Sequence, residues 1–341
     1  MTPVLRLLAI TLAIWLACGM ASAQTAKDRQ SKAPAPTVTL LFAGDIMLDD
    51  GPGQTIAQGG DPLAPIASLL ADADYRIGNL ETPIAGAQTG TPTASKIFNF
   101  RAAPGTTRVL KGRFDALSVA NNHSGDYGPA AFLETLEHVR QVGIVPFGGG
   151  RNLTEAHQPL WVQRGGLRIA VLAYNEFKPR SFEAGAHWPG IAWSEDSHVV
   201  ADIRAARKAG ANLVIPFMHW GWEREPTPSA RQKQLARTMI DAGADAVVGG
   251  HPHITQGAEY YRGKLIVYSL GNLVFDSFTT PETNTGWILR LTLNQRGLVR
   301  WETRTAHMDE AGTPHPAPAN QSPCGEAGDT VPRMCVNGAW K

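Results

Sequence analysis

Apolar runs that close on polar residues recur along this chain. They occupy residues 37–45 (TVTLLFAGD), 75–81 (YRIGNLE), 115–123 (DALSVANNH), 211–220 (ANLVIPFMHW) and 244–253 (ADAVVGGHPH). Their apolar stretches are nearly continuous instead of alternating with polar residues, which is the pattern of strands buried on both faces. Between some of them the spacing changes to that of amphipathic helices, at residues 128–143, 194–210 and 229–244, the first stopping at a glycine and the second starting on Ser-Glu-Asp. Strands alternating with helices predict an α/β fold with parallel pairing. Residues 160–175 and 259–275 instead predict hairpins around Gly165-Gly166 and Arg262-Gly263, so the sheet or sheets are expected to be mixed.

The two ends of the chain have a different character. Residues 1–23 carry Arg6, then an apolar stretch, then the small residues Ala21 to Ala23, the pattern of a cleaved secretory signal. The apolar part is short of the roughly 20 residues that a spanning helix needs, which leaves a retained anchor as the weaker alternative. A lipoprotein signal fits poorly, because Trp15 stands three residues before Cys18 where Leu is expected. Residues 24–36 predict a flexible leader, residues 37–308 one large domain, and residues 309–341 a Pro-rich tail. Loss of residues 1–23 leaves Cys324 and Cys335 as the thiols of an exported chain, where a disulfide between them can form and persist. The location expected is therefore periplasmic or extracellular. Loss of Arg6 lowers the formal charge from +1 to zero, a balance that argues against non-specific binding of nucleic acid.

Ligands of open α/β sheets bind beyond the carboxyl ends of the strands. Five runs deliver Asp45, Glu81, Asn122 with His123, His219, and His251 with His253 to such ends. Each has an ordinary reading by itself: an Asp after a strand caps a turn, a lone His is a satisfied core residue, and an Asn closes an Asx turn. Together they supply carboxylates, an amide oxygen and imidazoles, a mixture suited to one or two divalent ions such as Mn, Fe or Zn. Thiolate ligands are absent from residues 37–308. The chemistry such a set serves is water activation, with an imidazole to protonate the leaving oxygen.

The strings GDIML (44–48), NLETP (79–83), ANNHSGDYG (120–128), HWGWE (219–223), DAGADAVVGGHPHITQ (241–256) and YSLGNLVFD (268–276) resemble, in order and spacing, the CapA-type proteins linked to poly-γ-glutamate capsule synthesis. That family is similar to calcineurin-like metallophosphoesterases. The resemblance implies a four-layer α-β-β-α sandwich of two mixed sheets flanked by helices. It implies that Asp45 and His253 serve a first metal, that Glu81 takes the bridging position, and that Asn122, His219 and His251 serve a second. His123 would be the general acid or would orient a phosphoryl oxygen. Two departures concern the site: Met47 stands where the phosphoesterases usually carry a His ligand, and the bridging residue is Glu, one methylene longer than the usual Asp. Two others, Gly250 for a common His and Leu273 for a usual Phe, remove no expected ligand.

Several neighbours could assist. Asn79 and Asn272 are candidates for binding substrate or bracing a ligand, Arg101 for clamping a phosphate or carboxylate, and Glu223 for orienting an imidazole. Each is equally readable as a loop or turn residue. Trp188, Trp193, Trp220 and Trp222 could form a stacking floor for a polymer, with core packing the simpler expectation. The glycines of residues 147–152 (FGGGRN) lack the Lys-Ser or Lys-Thr of a phosphate loop. Two functions follow. One is an exported metal-dependent hydrolase acting on a phosphoester or on a polymer linkage. The other is a non-enzymatic component that holds an acidic polymer, working with membrane-bound capsule machinery.

Overall fold

The computed structural model describes residues 36–177, 180–276, 278–317 and 321–336. The expected signal segment, and the leader apart from Pro36, lie outside the described residues.

Two mixed sheets form the centre. In the larger, β1 (Val38–Ile46) pairs in parallel with β2 (Tyr75–Leu80), and β3 (Ala116–Ser118) and β4 (Val145–Phe147) follow, also in parallel. The smaller sheet contains β5 (Leu160–Arg164), β6 (Leu167–Asn175), β7 (Leu213–His219), β8 (Ala246–Gly250), β9 (Thr255–Tyr261) and β10 (Lys264–Leu270). Its order is β9-β10-β8-β7-β6-β5. Its inner pairs are parallel, and the outer ones are the antiparallel hairpins turning at Gly165-Gly166 and Arg262-Gly263. A short strand, β11 (Asn272–Val274), runs from the end of β10 back to the larger sheet and pairs with the end of β1.

Side-chain alternation sorts the core into layers. Along β1, Leu40 and Phe42 face the smaller sheet and meet Ile169, Ile215, Phe217 and Val248 in the central cluster. Phe42 and Phe217 touch edge to face across it, with ring centroids 5.4 Å apart. Leu41 and Ala43 point the other way, toward Ile56 of α1 (Asp50–Ala57) and Val139 of α2 (Gly128–Gln141). On the far side, Leu172, Val214 and Val247 pack under Val199 and Ile203 of α3 (Asp196–Lys208) and Leu235 and Met239 of α4 (Ala230–Ala242). Both faces of the central strands β1, β2, β7 and β8 are thus covered, which is why they read as continuous apolar runs. The four-layer α-β-β-α arrangement is the one expected.

The larger sheet continues beyond residue 276. β12 (Thr285–Asn294) and β13 (Gly297–Met308) form a long hairpin whose first strand pairs antiparallel with β1. The segment expected as a Pro-rich tail continues the same sheet: β14 (Pro314–Pro316) and β15 (Gln321–Glu326) pair with β13, and β16 (Arg333–Val336) pairs with β15. A break at residue 308 therefore does not appear in the fold. Ser322 and Cys324 are buried against the sheet, and Ser322 Oγ donates to Thr303 O at 2.8 Å. A disulfide joins Cys324 to Cys335, with Cα atoms 5.9 Å apart.

Candidate functional site

The carboxyl ends of β1, β2, β3, β7 and β8 converge, and each strand or the loop that follows it contributes side chains to one buried cluster. The register brings Asp45 opposite both Asn79 and Asn272, and His219 opposite Gly250. Two glycines permit the approach. A Cβ on Gly44 would lie 1.9 Å from the carbonyl oxygen of Gly271, and one on Gly250 would lie 3.0 Å from Asp45 Oδ1. Just beyond β8, His251 and His253 adopt φ of 95° and 57°. Left-handed backbone at two non-glycine residues is worth about 1–3 kcal/mol of strain each, which surrounding structure must hold in place.

Asp45, Glu81, Asn122, His123, His219, His251 and His253 are all buried. Around His219 Nε2 lie Asn122 Oδ1 at 2.6 Å, His251 Nδ1 at 3.0 Å and Glu81 Oε1 at 3.3 Å. Asp45 Oδ2 is 3.7 Å from His253 Nδ1. Two sets of three potential ligands have all their donor atoms within 4.8 Å of one another, Asp45 with Glu81 and His219, and Glu81 with His251 and His253. Glu81 belongs to both sets.

The neighbours fix these groups. Asn79 Nδ2 donates to Asp45 Oδ1 at 2.8 Å and lies 3.3 Å from His219 Nδ1, and the backbone N–H of His251 donates to Asp45 Oδ2 at 3.1 Å. Asn272 Oδ1 is 2.8 Å from His253 Nδ1, so that nitrogen carries the proton and the opposite one keeps its lone pair. By contrast, both oxygens of Glu81 and Nε2 of His251 are buried with no hydrogen-bond partner. Unsatisfied buried polar atoms each forgo about 1–3 kcal/mol of solvation, so an ion is a fitting occupant.

Electrostatics point the same way. Burial, with Glu81 next in weight, pushes the Asp45 carboxyl up to about 7, and burial pushes Glu81 well above the usual carboxylate range. Burial also lowers His219 to about 4, His253 to about 3 and His251 well below its ordinary value. Neutral imidazoles are the form that ligates metal, and carboxyls that resist ionisation lack a counter-charge.

His123 sits at the edge of this cluster. Its Nδ1 is 2.7 Å from Asp126 Oδ2, and its ring packs on Phe100 with centroids 4.5 Å apart. Burial lowers its pKa, and the Asp126 carboxylate opposes that shift. Lys96 reaches in beside it, donating to Asn122 O at 2.7 Å and pairing closely with Asp126. Asn121 joins β2 to this loop, donating to Asn79 Oδ1 at 3.1 Å and Leu80 O at 2.8 Å, while its own Oδ1 accepts the backbone N–H groups of His123 and Ser124. Lys96, Asn121 and Asp126 were not singled out from sequence. The adjacent strings NNH and SGD held the signal for the latter two, whereas Lys96 lies in a loop without periodicity.

Other expectations divide. Met47 is fully buried with Phe100 and Phe275, an apolar contact in place of a ligand. The Arg101 guanidinium lies 4.2 Å over the Tyr127 ring. Glu223 is exposed: its charge reaches Glu81 and His219, but Asn79 and Asn122, not Glu223, hold the His219 ring. The four tryptophans do not form one floor. Trp193 and Trp220 are core residues, while Trp188 and Trp222 are exposed. Trp222 meets Phe177, which stacks on His251 at 3.9 Å and lines a neighbouring cavity of about 270 Å³.

Comparison with known proteins places the chain. Residues 39–277 match the profile of the bacterial capsule synthesis protein family PGA_cap. The chain belongs to that family. The PGA biosynthesis protein CapA of Bacillus subtilis (strain 168) is 34% identical over 279 residues, covering 81% of this chain and 72% of that protein. The capsule biosynthesis protein CapA of Bacillus anthracis is 30% identical over 290 residues, covering 82% and 69%. Among solved structures, the NAD nucleotidase of Haemophilus influenzae aligns with a TM-score of 0.47 at 12% identity, over 84% of this chain and 54% of that one. The PGA_cap match ends at residue 277, so β12 to β16 lie beyond it.

Proposed function

We propose that this PGA_cap protein is an exported metal-dependent hydrolase serving the production of a capsule polymer, acting on a phosphoester or on a linkage of an acidic polymer. The single observation that carries the reading is Glu81: a fully buried carboxyl shared by both candidate ligand sets, with Asp45 and His219 against it. Asp45, Glu81, His219 and His253, with Asn122 and His251, would hold one or two divalent ions, with Mn, Fe or Zn suited to this nitrogen and oxygen set. When bound, such an ion supplies Lewis acidity, which brings water ionisation toward neutral pH.

The chain's own residues then do the following. Asn79 and Asn272 fix the orientation of Asp45 and His253. Asp126 holds His123 through Nδ1, which leaves Nε2 as the atom that donates a proton to a leaving oxygen. Donation needs the imidazolium; Asp126 favours that form and burial disfavours it. Lys96 pairs with Asp126 and holds its carboxyl group in place against His123. The Cys324–Cys335 disulfide supports an oxidising compartment, as does the signal pattern of residues 1–23. Among the described residues no helix is long and apolar enough to cross a membrane.

The test is to purify the chain without residues 1–23, measure bound metal by elemental analysis, and assay a generic phosphodiester and monoester with added Mn. Bound metal with turnover that His123→Ala removes supports hydrolysis. The burial of Met47 among phenylalanines, where a ligand is usual in phosphoesterases, favours a second reading: a metal-bearing but non-catalytic component that holds an acidic polymer. Retained metal, no turnover on either ester, and polymer binding unchanged in His123→Ala would select it.

A further inference from the structure

A second group of imidazoles lies on the opposite side of the smaller sheet. His157 follows the short helix Leu153–Ala156, and His198 and Asp202 stand four residues apart on α3, one turn above the other. His157 Nδ1 is 2.7 Å from Asp202 Oδ2, and the same oxygen accepts the Tyr174 hydroxyl at 2.9 Å. A carboxylate that already accepts one proton at this oxygen accepts the Nδ1 proton as well, so neutral His157 keeps its lone pair on Nε2. That Nε2 is buried with no partner, and the side chain as a whole is 10% exposed. The His198 ring meets the His157 ring edge to face with centroids 5.4 Å apart, and its Nδ1 is likewise buried and unpartnered. Two touching imidazoles each leave one nitrogen unsatisfied, while a carboxylate braces the first in the way that second partners brace metal-bound histidine.

We infer that His157 and His198 form a binding site for a divalent transition ion, Zn or Cu by the chemistry of imidazole donors, separate from the Asp45–Glu81 cluster. One ion would satisfy both unpartnered nitrogens. Asp202 remains the orienting group, so the protein supplies two ligands. Water completes the coordination from the adjoining cavity of about 220 Å³, which His157, Trp161 and Asp202 line. None of these residues belongs to the site assigned above, so the inference stands whether or not that site hydrolyses anything.

Crystals of the full chain soaked in zinc give the direct test by anomalous scattering. The expected result is a peak between the two rings, about 2.0–2.1 Å from His157 Nε2 and from His198 Nδ1. Density for a bridging water, or a peak confined to the Asp45–Glu81 cluster, overturns the proposal. In solution, equilibrium dialysis should show His198→Gln binding one equivalent of zinc fewer than the wild type. His219→Ala should retain that equivalent. Equal stoichiometry in the wild type and His198→Gln overturns the proposal, and if that variant fails to fold, the wild-type crystal decides.

Discussion

At the scale of single residues, the proposed chemistry rests on buried side chains at the carboxyl ends of the strands. His123→Ala should lower turnover by about 10²–10⁴-fold while leaving metal content unchanged, since proton donation is worth that much and His123 stands outside both ligand sets. Lys96→Gln should lower kcat with a smaller change in KM, read from initial rates, because the ammonium acts on Asp126. Asp45, Glu81, Asn122, His123, His219, His251 and His253 were all legible in the sequence because each closes an apolar run. For Arg101 and Glu223 the sequence leaves both readings open, because where a loop side chain turns depends on partners such as Tyr127, which arrive from elsewhere in the chain. The same holds for Lys96, whose place depends on a loop that Asn99 braces through contacts with Thr93 and the Lys96 carbonyl.

At the scale of elements, strands β1 to β3, β7 and β8 and helices α2 to α4 follow the apolar pattern closely, because burial on both faces removes the alternation that makes strands ambiguous. Strands β12 and β13 went unread. Their segments mix polar and apolar residues, with Arg290, Arg300, Glu302 and Arg304 among them, since one face of each strand is largely polar. The last strands hid behind proline and glycine, whose presence suggested a loose tail; pairing with β13 and a disulfide supply order that composition does not record. The bridge spans a sequence separation of 11 residues, so Cys335→Ala should lower unfolding free energy by about 2–4 kcal/mol in urea titrations. Gly44→Ala should be more damaging, because the added methyl meets the Gly271 carbonyl at 1.9 Å and β1 must shift away from β11. Its expected signature is reduced metal binding together with a lowered melting temperature.

At the scale of the whole molecule, two sheets pack across a continuous apolar centre, and their carboxyl ends bring Asp45, Glu81, His219, His251 and His253 together. In the metal-free protein Asp45 titrates near 7, above its unfolded value of 3.8, so the folded state holds an extra proton between those values and loses that stabilisation as pH rises through 7. His219 and His253, lowered to about 4 and 3, contribute in the opposite sense: their stabilisation is present above about 6.5 and is lost as pH falls toward those values. A cation replaces the Asp45 proton, so manganese should raise the melting temperature far more at pH 7.5 than at pH 5.5. The most direct measurement is calorimetric titration of manganese into chelator-treated protein at pH 7.5, beside Glu81→Gln. Saturable binding is expected in the wild type and at least a tenfold loss of affinity in the variant, about 1.4 kcal/mol or more. Equal affinity in the two proteins, or no binding by the wild type at millimolar manganese, would contradict the proposed metal site.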